Sequence, residues 1–372
     1  MNSRPPVIAR ITRREWLAGL SGLMASGLPQ SFAASEFTCA LYGFSSNKAP
    51  FASINHGDLA SWLRDHGVNA VFVYSNEDED VLKRLKSAGV ALYQSMGVFV
   101  GKADYQQHPE WRPVVASGEA MKPDEWYYPL SPNHPALRKQ RLERLKERLQ
   151  NPYIDGVWLD FIRYPLRWEN GAPRFEQACF SQMSLDAFQA FSGLRALGET
   201  TSEIAQWIIN SHLDDWTAFK IESIRSWVED AASLRDGLRP DARLGFFGVP
   251  WAPDEYDNAL HRIVGQDYAA LANHADIISP MIYHRMIGRP VERVRELTLA
   301  LKQSTQKPVW PVLQTMNLPD ELPKEEFLRS IDLAASASQQ GLILFAANHI
   351  ENEKRWSQLK ASIKKYVHKA RP

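Results

Sequence analysis

Ile154-Asp155-Gly156-Val157-Trp158-Leu159-Asp160-Phe161-Ile162-Arg163-Tyr164-Pro165 is the stretch on which the reading of this chain turns. A hydrophobic run of strand length closes on a carboxylate, a guanidinium and a phenol, and a proline then stops it. In a strand, alternate side chains share a face, so Gly156, Trp158 and Asp160 point one way. Asp155 has the opposite parity and opens the strand, which suits a structural role. If the strand belongs to a closed parallel barrel, the face of Asp160 can turn into the lumen, with the carboxylate at the rim where such barrels build their sites.

The surrounding pattern predicts that barrel. Eight apolar runs read as strands: 38–44, 70–74, 91–96, 156–162, 243–248, 276–283, 309–314 and 342–346. Several lack polar alternation, as strands buried on both faces do. Helical patterns fall between most of them, at 59–66, 79–88, 134–149, 214–238, 267–274, 291–303, 324–339 and 352–367. Strands alternating with helices define an α/β protein, and eight such pairs predict a (β/α)8 TIM barrel. Two segments interrupt the rhythm: 101–132 after the third strand, rich in Pro, Trp and Tyr, and 167–211 after the fourth. Long loops on such a barrel emerge at its catalytic mouth. The dense Arg, Lys and Glu run at 134–149 reads as a solvated helix face with i,i+4 pairs.

Composition narrows the function classes. The chain has 372 residues, 44% apolar and 23% charged, with equal numbers of acidic and basic side chains. A protein that grips nucleic acid by its backbone carries a basic excess, so no nucleic-acid partner is expected. The first 33 residues read as a twin-arginine-type signal peptide, followed by a single catalytic domain over 34–372. Arg4, Arg10, Arg13 and Arg14 make a basic start, a short apolar run spans 17–28, and Ser31-Phe32-Ala33 offers a cleavage site. Thr12-Arg13-Arg14-Glu15-Trp16-Leu17 resembles the twin-arginine consensus. Partnership with the twin-arginine translocase during export is therefore expected, with a periplasmic or secreted destination. Beyond the signal no stretch is apolar enough to span a bilayer, so the mature chain is not expected to be membrane-embedded. Cys39 and Cys179 are the only cysteines; Cys39 lies in an apolar run and reads as a buried small hydrophobe rather than a bridge partner.

A resemblance joins these observations. The segment 155–165 resembles the fourth-strand motif of the barrels called glycosyl-hydrolase-like family 10. Ile278-Ser279-Pro280-Met281-Ile282-Tyr283 is similar to their sixth strand, and Trp310-Pro311-Val312-Leu313-Gln314 to their seventh. It implies a glycoside hydrolase acting on a bacterial cell-surface or extracellular polysaccharide, with Asp160 as the catalytic carboxylate and Tyr283 and Gln314 lining the site. A chitinase-type fourth strand carries several acids; here Trp158 and Ile162 flank Asp160 on its face, against substrate-assisted chemistry.

Glycoside hydrolysis needs two carboxyl groups. Among acids near strand ends, Glu77, Asp254 and Glu351 rank as near-equal candidates for the second; Glu169 and Glu176 also lie in the loop after the fourth strand. Arg163, Tyr164, Trp158, Trp126, Trp251, Tyr283, His284, Gln314 and His349 are candidate substrate-binding residues, the indoles as stacking faces and the polar groups as partners for sugar hydroxyls. Trp111 and the run Trp126-Tyr127-Tyr128-Pro129 extend the candidate stacking wall. No metal-ligand spacing, nucleophile elbow or dinucleotide fingerprint is present, so no metal and no cofactor are expected. The alternatives are a non-catalytic carbohydrate-binding barrel and an accessory protein of polysaccharide secretion.

Overall fold

The computed structural model describes residues 37–169 and 173–367. The proposed export segment lies outside the described residues. Eight parallel strands close into a barrel in sequence order, β1 (Thr38–Phe44), β2 (Ala70–Val73), β3 (Ala91–Gly97), β4 (Gly156–Asp160), β5 (Arg243–Gly248), β6 (Ile277–Ile282), β7 (Val312–Gln314) and β8 (Gly341–Phe345), with β8 pairing back onto β1. This is the (β/α)8 fold read from the sequence, and the strands stand where their apolar runs predict them. β4 and β7 are shorter than predicted, for local reasons. β4 ends at Asp160 because Phe161 turns into the left-handed region, φ 53°. β7 begins late because Pro311 has no N–H to give the ladder, leaving Val309 only an isolated bridge to Ile278.

The lumen is filled by large rings rather than by small aliphatics. Trp158 stacks on Trp310 at 5.6 Å between centroids and meets Tyr93 at 4.7 Å and Phe72 at 5.2 Å. Its indole N–H donates to Ser279 Oγ at 3.0 Å, which satisfies the one polar atom of a fully buried side chain. Such bulk needs space beside it. A Cβ at Gly245 would lie 2.3 Å from the Trp158 ring, and one at Gly341 would lie 2.9 Å from Trp310. These glycines are required by the rings they face.

Asp155, at the opposite end of β4, accepts the Leu92 N–H at 2.9 Å and pairs with Lys86, fixing the bottom of the barrel. The loop after β3 is anchored by charge. Asp104 receives Arg141 at 2.8 Å and Arg144 at 3.0 Å, both from the helix Pro135–Leu149. Arg141 is fully buried, which corrects the reading of that helix's charge run as solvent-facing. The insertion after β4 folds into two helices, Gln182–Ser192 and Thr201–Ser211, around a small apolar cluster of its own. Cys39 and Cys179 are both buried free thiols. Among the described residues no helix is long and apolar enough to cross a membrane.

Candidate active site

Asp160 is the last residue of β4, and its side chain enters a cleft of about 530 Å³ at the C-terminal mouth of the barrel. Tyr42, Phe247, Tyr283 and Phe345 form an aromatic floor, and Trp126, Trp168 and Phe161 form the wall on the side of the β3 and β4 loops. The floor is self-supporting: Tyr42 contacts Phe345 at 5.1 Å, and Tyr283 stacks between Phe345 at 5.2 Å and Trp168 at 5.8 Å. Glu125, Arg163, Arg167 and Glu169 supply the charge around the rim.

This environment changes the chemistry of the carboxyl. Withdrawal from water among aromatic rings pushes the Asp160 pKa up to about 6. The hydrogen bond from the Phe161 amide at 2.8 Å and the Arg163 guanidinium oppose the rise, while the Glu169 charge adds to it. The same burial raises Tyr42 to about 12 and Tyr283 well above the usual phenol range, with the Asp160 charge contributing to both. Both phenols therefore stay protonated beside it. A carboxyl poised near 6 can hold a proton and release it within the neutral range, as a general acid must.

Arg163 is buried 3% exposed, with its guanidinium 5.0 Å from the Phe161 ring and 5.5 Å from the Tyr127 ring. Nη1 donates to Leu166 O at 2.6 Å, and among the described residues Nη2 has no partner. Glu169 Oε2 accepts from Trp168 N at 3.0 Å and Arg167 Nε at 3.3 Å. Arg167 also lies over the Trp126 ring at 5.1 Å and bonds Asp124 at 3.0 Å, joining the two long loops across the wall.

Of the residues singled out from the sequence, Asp160, Arg163, Trp126 and Tyr283 meet in this cleft. Several others do not reach it. Trp158 points into the lumen as its parity requires, but one layer below Asp160, in the packed core. Tyr164 is buried away from the mouth, its hydroxyl donating to Asn133 at 2.8 Å. The Gln314 amide is taken up by main chain, accepting from Met286 N at 3.2 Å and donating to Met316 O at 3.0 Å. His284 is buried against Glu326 at 2.7 Å. His349 is half-buried beside Phe345, at 6.2 Å, and does not line the cleft. Trp251 is buried under Phe175 and Tyr256, at 5.8 and 4.9 Å, and Trp111 is buried under His108 at 3.7 Å.

The three acids ranked as partners also stand elsewhere. Glu77 accepts from Ser46 N at 3.1 Å, Glu351 accepts the Trp356 indole at 2.7 Å, and Asp254 is exposed beyond β5; none lines the cleft. Sequence reasoning underrated Glu169, whose position depends on a loop rather than on strand parity. It passed over Tyr42 and Phe345, although lumen-facing aromatics at the ends of β1 and β8 follow from the same alternation that finds Asp160. Among the described residues, no group of His, Cys, Asp and Glu is arranged to hold a metal ion.

A (β/α)8 barrel with an acid at the rim of its fourth strand and an aromatic cleft is the class that fold and site define, and several solved glycoside-hydrolase barrels share its shape. The glycoside hydrolase domain of PgaB (BpsB) from Bordetella bronchiseptica superposes with a TM-score of 0.64 at 18% identity, covering 88% of this chain and 98% of that domain. A β-galactosidase from Halorubrum lacusprofundi gives 0.64 at 12% identity over 90% of this chain and 58% of its own. An endo-β-1,4-mannanase from Thermotoga petrophila gives 0.53 at 9% identity, over 90% and 77%. At these identities the likeness establishes the fold. No family model matches the sequence. An S-layer-related protein of Niallia circulans is 26% identical over 143 residues, covering 36% of this chain; the match spans 8% of that protein's length.

Proposed function

We propose that this protein is a glycoside hydrolase in which Asp160 donates a proton to the leaving oxygen of a glycosidic bond. The observation that carries this reading is the position of Asp160: a carboxyl at the rim of β4, its pKa raised to about 6, in an aromatic cleft of about 530 Å³. Flat ring faces suit the C–H faces of sugars, and the cleft has the volume of a small-molecule site. An acid of this strength protonates a departing sugar oxygen near neutral pH while the oxocarbenium-like carbon develops beneath it. Tyr42 and Tyr283 remain protonated hydrogen-bond donors in the same cleft. Arg163 holds the acid's field in check and props Phe161.

The substrate in this reading is a bacterial cell-surface or extracellular polysaccharide, reached by twin-arginine export to the periplasm or beyond. The 12–17 segment supports the route, and the resemblance of 155–165, 278–283 and 310–314 to glycosyl-hydrolase-like family 10 supports the substrate class. No cofactor is called for, since the chemistry needs only carboxyl groups and water. The test is to incubate residues 34–372 with a panel of bacterial exopolysaccharides and peptidoglycan and to measure new reducing ends. Release from one of them is expected; no release from any would overturn the reading.

A further inference from the structure

We infer that Glu169 is the second carboxyl of the reaction, the general base that activates the attacking water opposite Asp160. This rests on the hydrolase reading above. Glu169 and Asp160 line the same cleft, and of the acids near strand ends that the sequence offers, Glu77, Asp254, Glu351 and Glu176 do not. Glu125 also lines it, but is 74% exposed at the outer edge, whereas Glu169 is 15% exposed and sheltered by Arg167 and Trp168.

Its fixation leaves it free to act. Oε2 takes the Trp168 N–H and the Arg167 Nε–H, and among the described residues nothing bonds Oε1. Arg167, held in turn by Asp124 and Trp126, prevents the side chain from swinging to solvent. In the base's role Glu169 reaches C1 through one water rather than bonding it directly. In the reaction, water gives a proton to Glu169 Oε1 as its oxygen bonds C1, the C1–O glycosidic bond breaks, and the leaving oxygen takes the Asp160 proton. Asp160 ends ionised and Glu169 protonated, and solvent returns the proton from one to the other. Configuration at C1 inverts.

The inference and the reading beneath it fail separately. On the polysaccharide that wild type cleaves, Glu169→Gln is expected to lose about 10²–10⁴-fold in kcat. Glu169→Ala is expected to recover turnover with sodium azide, which attacks C1 without a proton to shed, and NMR of the wild-type product at early times should show the inverted anomer. Wild-type turnover by Glu169→Gln, or a retained anomer, overturns the assignment of Glu169 and leaves the hydrolase reading standing. A wild type that cleaves nothing overturns the hydrolase reading. One readout needs no substrate: with ¹³C-labelled Asp carboxyls, the Asp160 resonance, assigned by its loss in Asp160→Asn, should titrate at lower pH in Glu169→Gln than in wild type. An unchanged midpoint means the two carboxyls do not share a site and overturns the inference.

Discussion

Asp160 accepts a hydrogen bond from the amide of its own successor, Phe161, at 2.8 Å, and Phe161 adopts φ 53° to make the turn. The strand ends where the acid must stand, and the acid's orientation is fixed by the residue that ends it. A left-handed aromatic costs about 1–2 kcal/mol. Here the Phe161 ring is held by Tyr127 at 5.8 Å and by the guanidinium of Arg163. Strain of this kind collects where function fixes geometry.

Activity should follow the Asp160 proton. With its carboxyl at about 6, kcat/KM should fall about tenfold per pH unit above that value, as the acid is lost. Arg163→Met removes the charge that lowers this pKa, so the limb should move to higher pH. Glu169→Gln removes a charge that raises it, so residual activity should lose its acid at lower pH. Initial rates across pH 4–9 check both signs.

Ionisation of Asp160 should also cost stability. A carboxyl whose folded pKa lies above its unfolded value favours the fold fully below about 4 and loses that contribution as pH rises through about 6. Asp160→Asn, which cannot ionise, should therefore exceed wild type by about 3 kcal/mol at pH 8 and match it near pH 4. Denaturant unfolding at the two pH values measures the difference.

The core should be intolerant beside its largest ring. Gly245→Ala would place a methyl 2.3 Å from Trp158, and the packed rings of Tyr93 and Trp310 leave the indole nowhere to go. A loss of about 1–3 kcal/mol is expected, and Trp158→Ala should lose about 3–5 kcal/mol. Thermal or denaturant melts report both.

These sites mark how far the sequence could be read. The strands were legible because apolar runs buried on two faces have few other uses, and Asp160 was legible because it shares parity with Gly156 and Trp158. Parity gives direction but not depth, so Trp158, two residues lower, faces the lumen and lies in the core. Beyond Asp160 the left-handed Phe161 breaks the alternation, and Tyr164 turns away from the mouth. Glu169 was opaque for another reason. Its place depends on Leu166, whose N–H goes to the Tyr127 hydroxyl at 3.2 Å and whose carbonyl goes to Arg163. Those contacts join residues up to 39 positions apart, and no local pattern announces them.

The exposed ring of the cleft should matter for binding and little for folding. Trp126 is 52% exposed, so Trp126→Ala should leave the melting temperature nearly unchanged. Loss of one stacking face should weaken polysaccharide binding about tenfold, of order 1.4 kcal/mol. Affinity electrophoresis in gels carrying the cleaved polysaccharide provides the measurement.

The most direct test is the turnover of Asp160→Asn on the polysaccharide that wild type cleaves. Replacing the acid with its amide removes the transferable proton and little else, so kcat should fall by about 10²–10⁴-fold while the variant stays folded and still binds the polymer. Cleavage at the wild-type rate by a folded Asp160→Asn would show that the proton comes from elsewhere.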